Sequence, residues 1–240
     1  MELEGKVAMI SGGSKGLGAA LARRFAEEGA AVSLCARGGA ALREVCRELE
    51  DGGARCLAVE ADVADADAVE RWFDATVEEL GRVDAVVNNA SLLGPRVAIE
   101  DYPEEDWREV VEVNLTGAFL VARAAVPRLA GGGGSLIHVS SGVGDHGRPR
   151  WGAYCASKNG LEALSEMMAG ELEDRGIRSN AVDPGAMRTG MRAAAYPEED
   201  PMSNPTPYEV TDVFVWLASD ASRGVTGERF RAKEFDAAAV

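Results

Sequence analysis

The sequence predicts an α/β fold, a doubly wound parallel sheet with helices on both faces, and two observations predict it. Short apolar runs recur from one end of the chain to the other: "KVAMIS" (6–11), "AAVSLCA" (30–36), "RCLAVEAD" (55–62), "VDAVVNN" (83–89), "SLIHVSS" (135–141) and "IRSNAVD" (177–183). They read as strands buried on both faces. Between them lie stretches with helical spacing, such as Leu17, Leu21 and Phe25 within 16–28 and Val69, Phe73, Val77 and Leu80 within 65–80. Alternating βα units of this kind cover both faces of a parallel sheet with helices.

In chain order, the first strand runs into "SGGSKGLG" (11–18), where Gly12, Gly16 and Gly18 are spaced G-x-x-x-G-x-G before an amphipathic helix. Glycines there let the backbone turn sharply and approach a pyrophosphate, which the amides of the helix N-terminus then bind. A tight turn without a ligand has the same local pattern; its place in the first βα unit favours dinucleotide binding and a Rossmann fold. The second strand ends in Ala36 and Arg37, where NAD-binding folds carry a carboxylate for the ribose hydroxyls. Arg37 offers a fork of donors to a 2′-phosphate and Lys15 adds charge from the glycine turn, which predicts NADP(H) over NAD(H). A merely solvated Arg37 is the competing reading.

The third and fourth strands, at 55–62 and 83–89, flank the helix of 65–80. The two longest helical tracts are 104–129 and 152–175, and "AGGGGS" (130–135) reads as a helix terminator and turn. The fifth and sixth strands flank the second of these tracts. Residues 190–207, "GMRAAAYPEEDPMSNPTP", are Pro-rich and poorly periodic. They read as a mobile loop with one short helix, of the kind that covers active sites.

The 240 residues, 46% hydrophobic and 27% charged, suit one domain over 1–240. A net charge of −15 argues against nucleic acid or an anionic membrane as partner. Cys35, Cys46, Cys56 and Cys155 form no C-x-x-C, which predicts reduced thiols rather than a disulfide framework. With only His138 and His146, no His-based metal site is expected. No apolar run approaches about 18 residues, and no charged segment leads into a long apolar one at the N-terminus, so a soluble cytoplasmic protein is expected.

The stretch "AYCASK" (153–158) sets Tyr154 and Lys158 four positions apart. On a helix that spacing brings Cβ atoms to roughly 5–6 Å, and a fixed cation there favours the phenolate, making the tyrosine a better proton-transfer group near neutral pH. Such pairs also simply pack on many helices.

In order along the chain, the glycine turn at 12–18, "ADV" (61–63), "NNA" (88–90), "VNLTGAF" (113–119), "HVSS" (138–141), "YCASK" (154–158) and "DPGAMRT" (183–189) resemble the single-domain short-chain dehydrogenase/reductase family. The similarity spans about 5–228. It implies that Tyr154 is the general acid or base on a carbonyl/alcohol pair, and that Lys158 lowers the tyrosine pKa and holds the nicotinamide ribose. It implies that Ser141, thirteen residues before Tyr154, binds the substrate oxygen, and that Asn114 holds a water behind Lys158 from an irregular point of its helix. For the cofactor it implies the turn Gly12, Ser14, Lys15, Gly16, Leu17 and Gly18, then Asp62 and Val63 at the adenine, Asn89 and Ala90 in the cleft, and Pro184, Gly185 and Thr189 near the nicotinamide, with Tyr154 and Lys158 also touching it. No metal is expected.

It also implies a homodimer or homotetramer through the two long helices, where "WREVVEVNLTGAFLVARAAV" has apolar positions to spare. His146, Trp151, Leu92, Leu93 and Tyr196 fall in segments that line substrate in relatives; Trp151 reads as a cleft cover and His146 as a surface group, while Cys155 reads as core. Two departures matter: Ser91 replaces the usual glycine after "NNA", and the tail "TGERFRAKEFDAAAV" (226–240) lacks the family's V-D-G-G signature for a last strand. An NAD-dependent enzyme of the same fold and a non-catalytic nucleotide-binding regulator are the alternatives. The set Asn114, Ser141, Tyr154 and Lys158 speaks against the regulator.

Overall fold

In the computed structural model, which describes residues 1–129 and 133–237, seven parallel strands form one sheet in the order β3-β2-β1-β4-β5-β6-β7. They are β1 (Val7–Ser11), β2 (Ala31–Ala36), β3 (Cys56–Glu60), β4 (Ala85–Asn88), β5 (Gly134–Val139), β6 (Ile177–Asp183) and β7 (Arg229–Arg231). The first six are those the apolar runs predict. The seventh is a three-residue strand without the expected signature, held because Ala181, Val182 and Asp183 pair with Arg229, Phe230 and Arg231.

Helices α1 (Gly16–Glu27), α2 (Gly39–Asp51), α3 (Ala66–Leu80), α4 (Glu104–Val111), α5 (Gly117–Ala125), α6 (Gly152–Leu172), α7 (Gly190–Ala195) and α8 (Asp212–Ala218) cover the two faces. Alternate strand residues feed two cores, as continuous apolar strands require. Ala8, Ile10, Val32 and Leu34 join α1, α2 and α8 in one; Met9, Val86 and Leu136 join α3, α5 and α6 in the other. The predicted helix over 104–129 is interrupted by a π-helical segment, Glu112–Thr116, between α4 and α5. Its expected glycine terminator lies partly outside the described residues, at 130–132, as does the end of the tail at 238–240. The segment 190–207 contains α7 and a 3₁₀ turn, Pro201–Ser203, and a second, Pro207–Val210, begins at its end.

One expectation is overturned. Cys46 and Cys56 form a disulfide with a Cα–Cα distance of 5.3 Å. They are ten positions apart, but α2 ends at Asp51 and the chain turns straight into β3, which brings the strand's first residue back beneath the helix face that carries Cys46. Cys35 and Cys155 are free and buried. Among the described residues no helix is long and apolar enough to cross a membrane.

Strand order reverses between β1 and β4, so the chain leaves the sheet in opposite directions there and a crevice opens at the carboxyl ends of the strands. Every loop considered next leaves the sheet from that edge.

Candidate active site

The turn after β1 is built for close backbone approach. A Cβ on Gly18 would lie 2.3 Å from the Gly12 carbonyl oxygen, and Gly12 itself holds φ +69°, so side chains at either position would break the turn. Ser11 and Asn89 tie it down from the sheet. The Ser11 hydroxyl accepts from the amides of Asn89 and Ala90 at 3.0 Å each, and Asn89 Nδ2 donates to the carbonyls of Ser11 at 2.8 Å and Gly12 at 3.2 Å.

The helix that follows, α1, has neither a side-chain cap from Lys15 nor an acid in its first turn. Its leading amides, among them Gly16 and Leu17, are thus available donors at a positive helix end, a donor set that fits a dinucleotide pyrophosphate. Ser14 and Lys15 lie on the same turn.

Around this cradle, Asp62 and Val63 follow β3, with the Asp62 carboxylate accepting from the Ala64 amide at 3.0 Å. Pro184 and Gly185 follow β6, and the Gly185 amide donates to Asp183 at 2.9 Å. Thr189 caps α7 by accepting from the Arg192 amide at 3.2 Å, while its methyl faces Gly16. Arg37 lies at the end of β2, exposed, in an ion pair of 3.3 Å with Glu109. Glu60 ends the neighbouring β3 in register with Ala36, so a carboxylate that the reading of β2 alone leaves out stands at that edge.

Deeper in the crevice, Tyr154, Ser141, Lys158 and Asn114 converge. Tyr154 lies in the first turn of α6, 7% exposed, with the Ser141 side chain close enough to lower its pKa. Ser140, the alternative serine, points away: it is buried and bonds Glu162. Lys158, one turn on from Tyr154, is 2% exposed and its Nζ stands 5.7 Å from the phenol ring centroid while donating to the Val139 carbonyl at 2.7 Å.

Asn114 sits in the π-helical segment, where the extra residue of the turn aims its side chain inward. Its Oδ1 accepts from the Leu92 amide at 2.7 Å, and its Nδ2 donates to the Leu92 carbonyl at 2.9 Å and to Ser157 Oγ at 3.1 Å. Ser157 donates in turn to the Tyr154 carbonyl at 2.9 Å. Both amide hydrogens of Asn114 are therefore committed to protein. Its visible work is to hold the Leu92 loop against the turn of α6 that carries Tyr154 and Lys158.

The electrostatics correct the sequence expectation for the tyrosine. Burial pushes the Tyr154 phenol up to about 12, against a smaller lowering by the nearby Ser141 side chain. Burial likewise pushes the Lys158 ammonium down to about 8, only partly offset by Glu162. Desolvation disfavours the charged form of both groups and outweighs the attraction anticipated from spacing alone. Beneath them, the imidazole of His138 is pushed down to about 4 by burial and by the Lys158 charge, so it is neutral; Asn88 meets its Nδ1 at 3.2 Å.

An aromatic wall closes one side. Trp151 lies 5.7 Å from the Tyr154 ring and 6.3 Å from Tyr196, centroid to centroid, with Leu92 and Leu93 packed on the same cluster. His146 points outward to pair with Asp145, and Cys155 donates to the carbonyls of His146 at 3.2 Å and Val143 at 3.3 Å. Arg229 and Glu162 were missed by sequence reasoning, since their convergence on Ser140 and Ser141 spans 88 positions and has no local signal. Ser157 could have been found: it precedes Lys158 by one residue inside the quoted motif.

Comparison with known proteins bears on the fold. The short chain dehydrogenase family model matches residues 6–200. The 2,5-dichloro-2,5-cyclohexadiene-1,4-diol dehydrogenase LinX of Sphingobium indicum is 36% identical, the match covering 94% of this chain and 93% of that protein. An uncharacterized NAD-dependent oxidoreductase of Mycobacterium tuberculosis is 36% identical, covering 95% and 94%. Among solved structures, a short chain dehydrogenase from Shigella flexneri 2a complexed with NADP superposes with a TM-score of 0.93 at 33% identity, covering 97% and 98% of the two chains.

Proposed function

The chain belongs to the short chain dehydrogenase family of oxidoreductases, and from that premise we propose that it interconverts a carbonyl compound and a secondary alcohol with NADP(H). The observation that carries this reading is the position of Tyr154 in the first turn of α6, with the Ser141 side chain near it and the buried Lys158 Nζ 5.7 Å from its ring. With its pKa pushed up, Tyr154 holds its proton at neutral pH, which suits a general acid in the direction of carbonyl reduction. Ser141 and Tyr154 supply two donors for the negative charge that grows on the carbonyl oxygen, and Lys158 sets a cation behind them. Bound nicotinamide would supply the hydride. Asn114, through Ser157 and Leu92, keeps the two segments of the site in register.

For the cofactor, Gly12, Ser14, Lys15, Gly16, Leu17 and Gly18 would hold the pyrophosphate, Asp62 and Val63 the adenine, Asn89 and Ala90 the cleft wall, and Pro184, Gly185 and Thr189 the nicotinamide end. Arg37 and Lys15 support NADP(H), and relatives named for either cofactor make this the point to test. Arg37 would exchange Glu109 for the 2′-phosphate. The chemistry of LinX, a diol dehydrogenase by name, supports an alcohol or ketone substrate. A homodimer or homotetramer fits the exposed apolar residues Phe119 on α5 and Met167 on α6.

The test is a fluorescence titration with NADPH and NADH, followed by a carbonyl screen. Tighter NADPH binding that Arg37→Ala weakens, with Tyr154→Phe lowering kcat by about 10²–10⁴-fold, is expected. Equal binding of the two cofactors would overturn the preference, and turnover unchanged by Tyr154→Phe would overturn the role of the tyrosine.

A further inference from the structure

We propose that the cleft beside Tyr154 takes a substrate bearing a carboxylate, with Arg96 as its partner, an inference that rests on the oxidoreductase reading of the same cleft. Arg96 lies in the segment after β4. Its guanidinium carbon is 4.7 Å from the Trp151 ring centroid and 4.5 Å from that of Tyr196. Trp151 in turn stands 5.7 Å from Tyr154, so a single ring separates the cation from the phenol.

This cation lacks a counter-ion. Nη1 donates to the Ala195 carbonyl, the buried Nε–H has no hydrogen-bond partner, and among the described residues no carboxylate pairs with the guanidinium. The neighbouring Arg192, stacked 3.8 Å from the Tyr196 ring, shows the contrast: Glu199 neutralises it through two hydrogen bonds of 2.6 Å. Two other half-buried arginines without an ion pair among the described residues, Arg178 and Arg188, each donate to two backbone carbonyls, whereas Arg96 donates to one. A shielded cation without an anion is unfavourable, and a planar carboxylate answers its fork of donors. Arg148, also without an ion pair among the described residues, lies 5.3 Å from the Trp151 ring and adds positive potential on the same wall. The rings of Trp151 and Tyr196, with Leu92 and Leu93, suit an apolar or aryl body between carboxylate and reacting carbonyl.

The experiment compares 4-acetylbenzoate with its methyl ester in NADPH-dependent reduction, alongside calorimetry of benzoate and benzamide on the NADP-loaded protein. The acid is expected to exceed the ester in kcat/KM by about 10- to 100-fold, the range for hydrogen bonds to a charged group. Arg96→Gln should collapse that ratio towards one, and Arg96→Lys should recover part of it. A wild-type ratio near one, or a ratio that survives Arg96→Gln, overturns the proposal. If neither compound is reduced, the catalytic reading fails for this class and calorimetry decides the site: benzoate binding that Arg96→Gln removes supports it, and benzoate binding no tighter than benzamide overturns it.

Discussion

Arg229 of β7 donates from Nη2 to the backbone carbonyl of Ser141 at 3.1 Å, and from Nε to Glu162 at 2.7 Å. Its guanidinium also lies 3.7 Å from Asp183 and 3.5 Å from Asp145. Glu162 in turn receives the Ser140 hydroxyl. The atypical tail thus reaches the site: one guanidinium holds both serines of the β5 loop and neutralises carboxylates that the fold half-buries.

Replacing Arg229 by Gln should strip the counter-charge from Glu162 and Asp183 and destabilise the protein by about 2–4 kcal/mol, somewhat below a fully buried pair because Arg229 keeps some exposure. Arg229→Lys should recover less than half, since one ammonium cannot span Glu162 and the Ser141 carbonyl together. Urea unfolding of the three proteins measures this. A Gln variant as stable as the parent would mean that the network is held by other contacts.

The Lys158 environment sets an alkaline signature. Burial holds its pKa at about 8, below the ordinary 10.5. Between those values the folded lysine has lost its proton while the unfolded one keeps it, so unfolding takes up a proton and stability rises with pH. Below about pH 8 the cost of the buried charge is constant, roughly 2–4 kcal/mol. Lys158→Met should therefore be the more stable protein at pH 7, with the gap closing by about pH 10.5. Denaturant midpoints of both proteins from pH 7 to 10.5 test the sign, and a gap that widens with pH contradicts it.

Gly18→Ala is expected to open the turn after β1, because the new methyl would meet the Gly12 carbonyl oxygen at 2.3 Å and Asn89 Nδ2 at 2.7 Å. Overpacking against backbone should cost about 1–3 kcal/mol. The same change should weaken NADPH binding far more than a surface Ala substitution such as Glu44→Ala. Thermal unfolding and a cofactor titration report the two effects separately.

The Cys46–Cys56 bridge closes a loop of ten residues, worth about 2.5–3 kcal/mol in the chain-entropy account. A reducing agent, or the double change Cys46→Ser with Cys56→Ser, should lower the unfolding midpoint accordingly. If the midpoint does not move under reduction, the two thiols contribute no cross-link in solution.

What the sequence determined by itself was the layered architecture and the list of chemically able residues. Six strands follow from continuous apolar runs, and the glycine turn follows from residues adjacent in the chain, because periodicity and turn chemistry are local properties. The spacing of Ser141, Tyr154 and Lys158 is local too, and the fold brings those three together. Only the tertiary structure decided what surrounds them. The short β7 exists because β6 offers it partners, and Arg229, Glu162 and Arg96 reach the site through contacts between distant segments. The same distinction explains the proton affinities: helical spacing predicted a lowered Tyr154, whereas burial by the assembled fold raised it. Desolvation depends on everything packed around a group, and no stretch of sequence contains that sum.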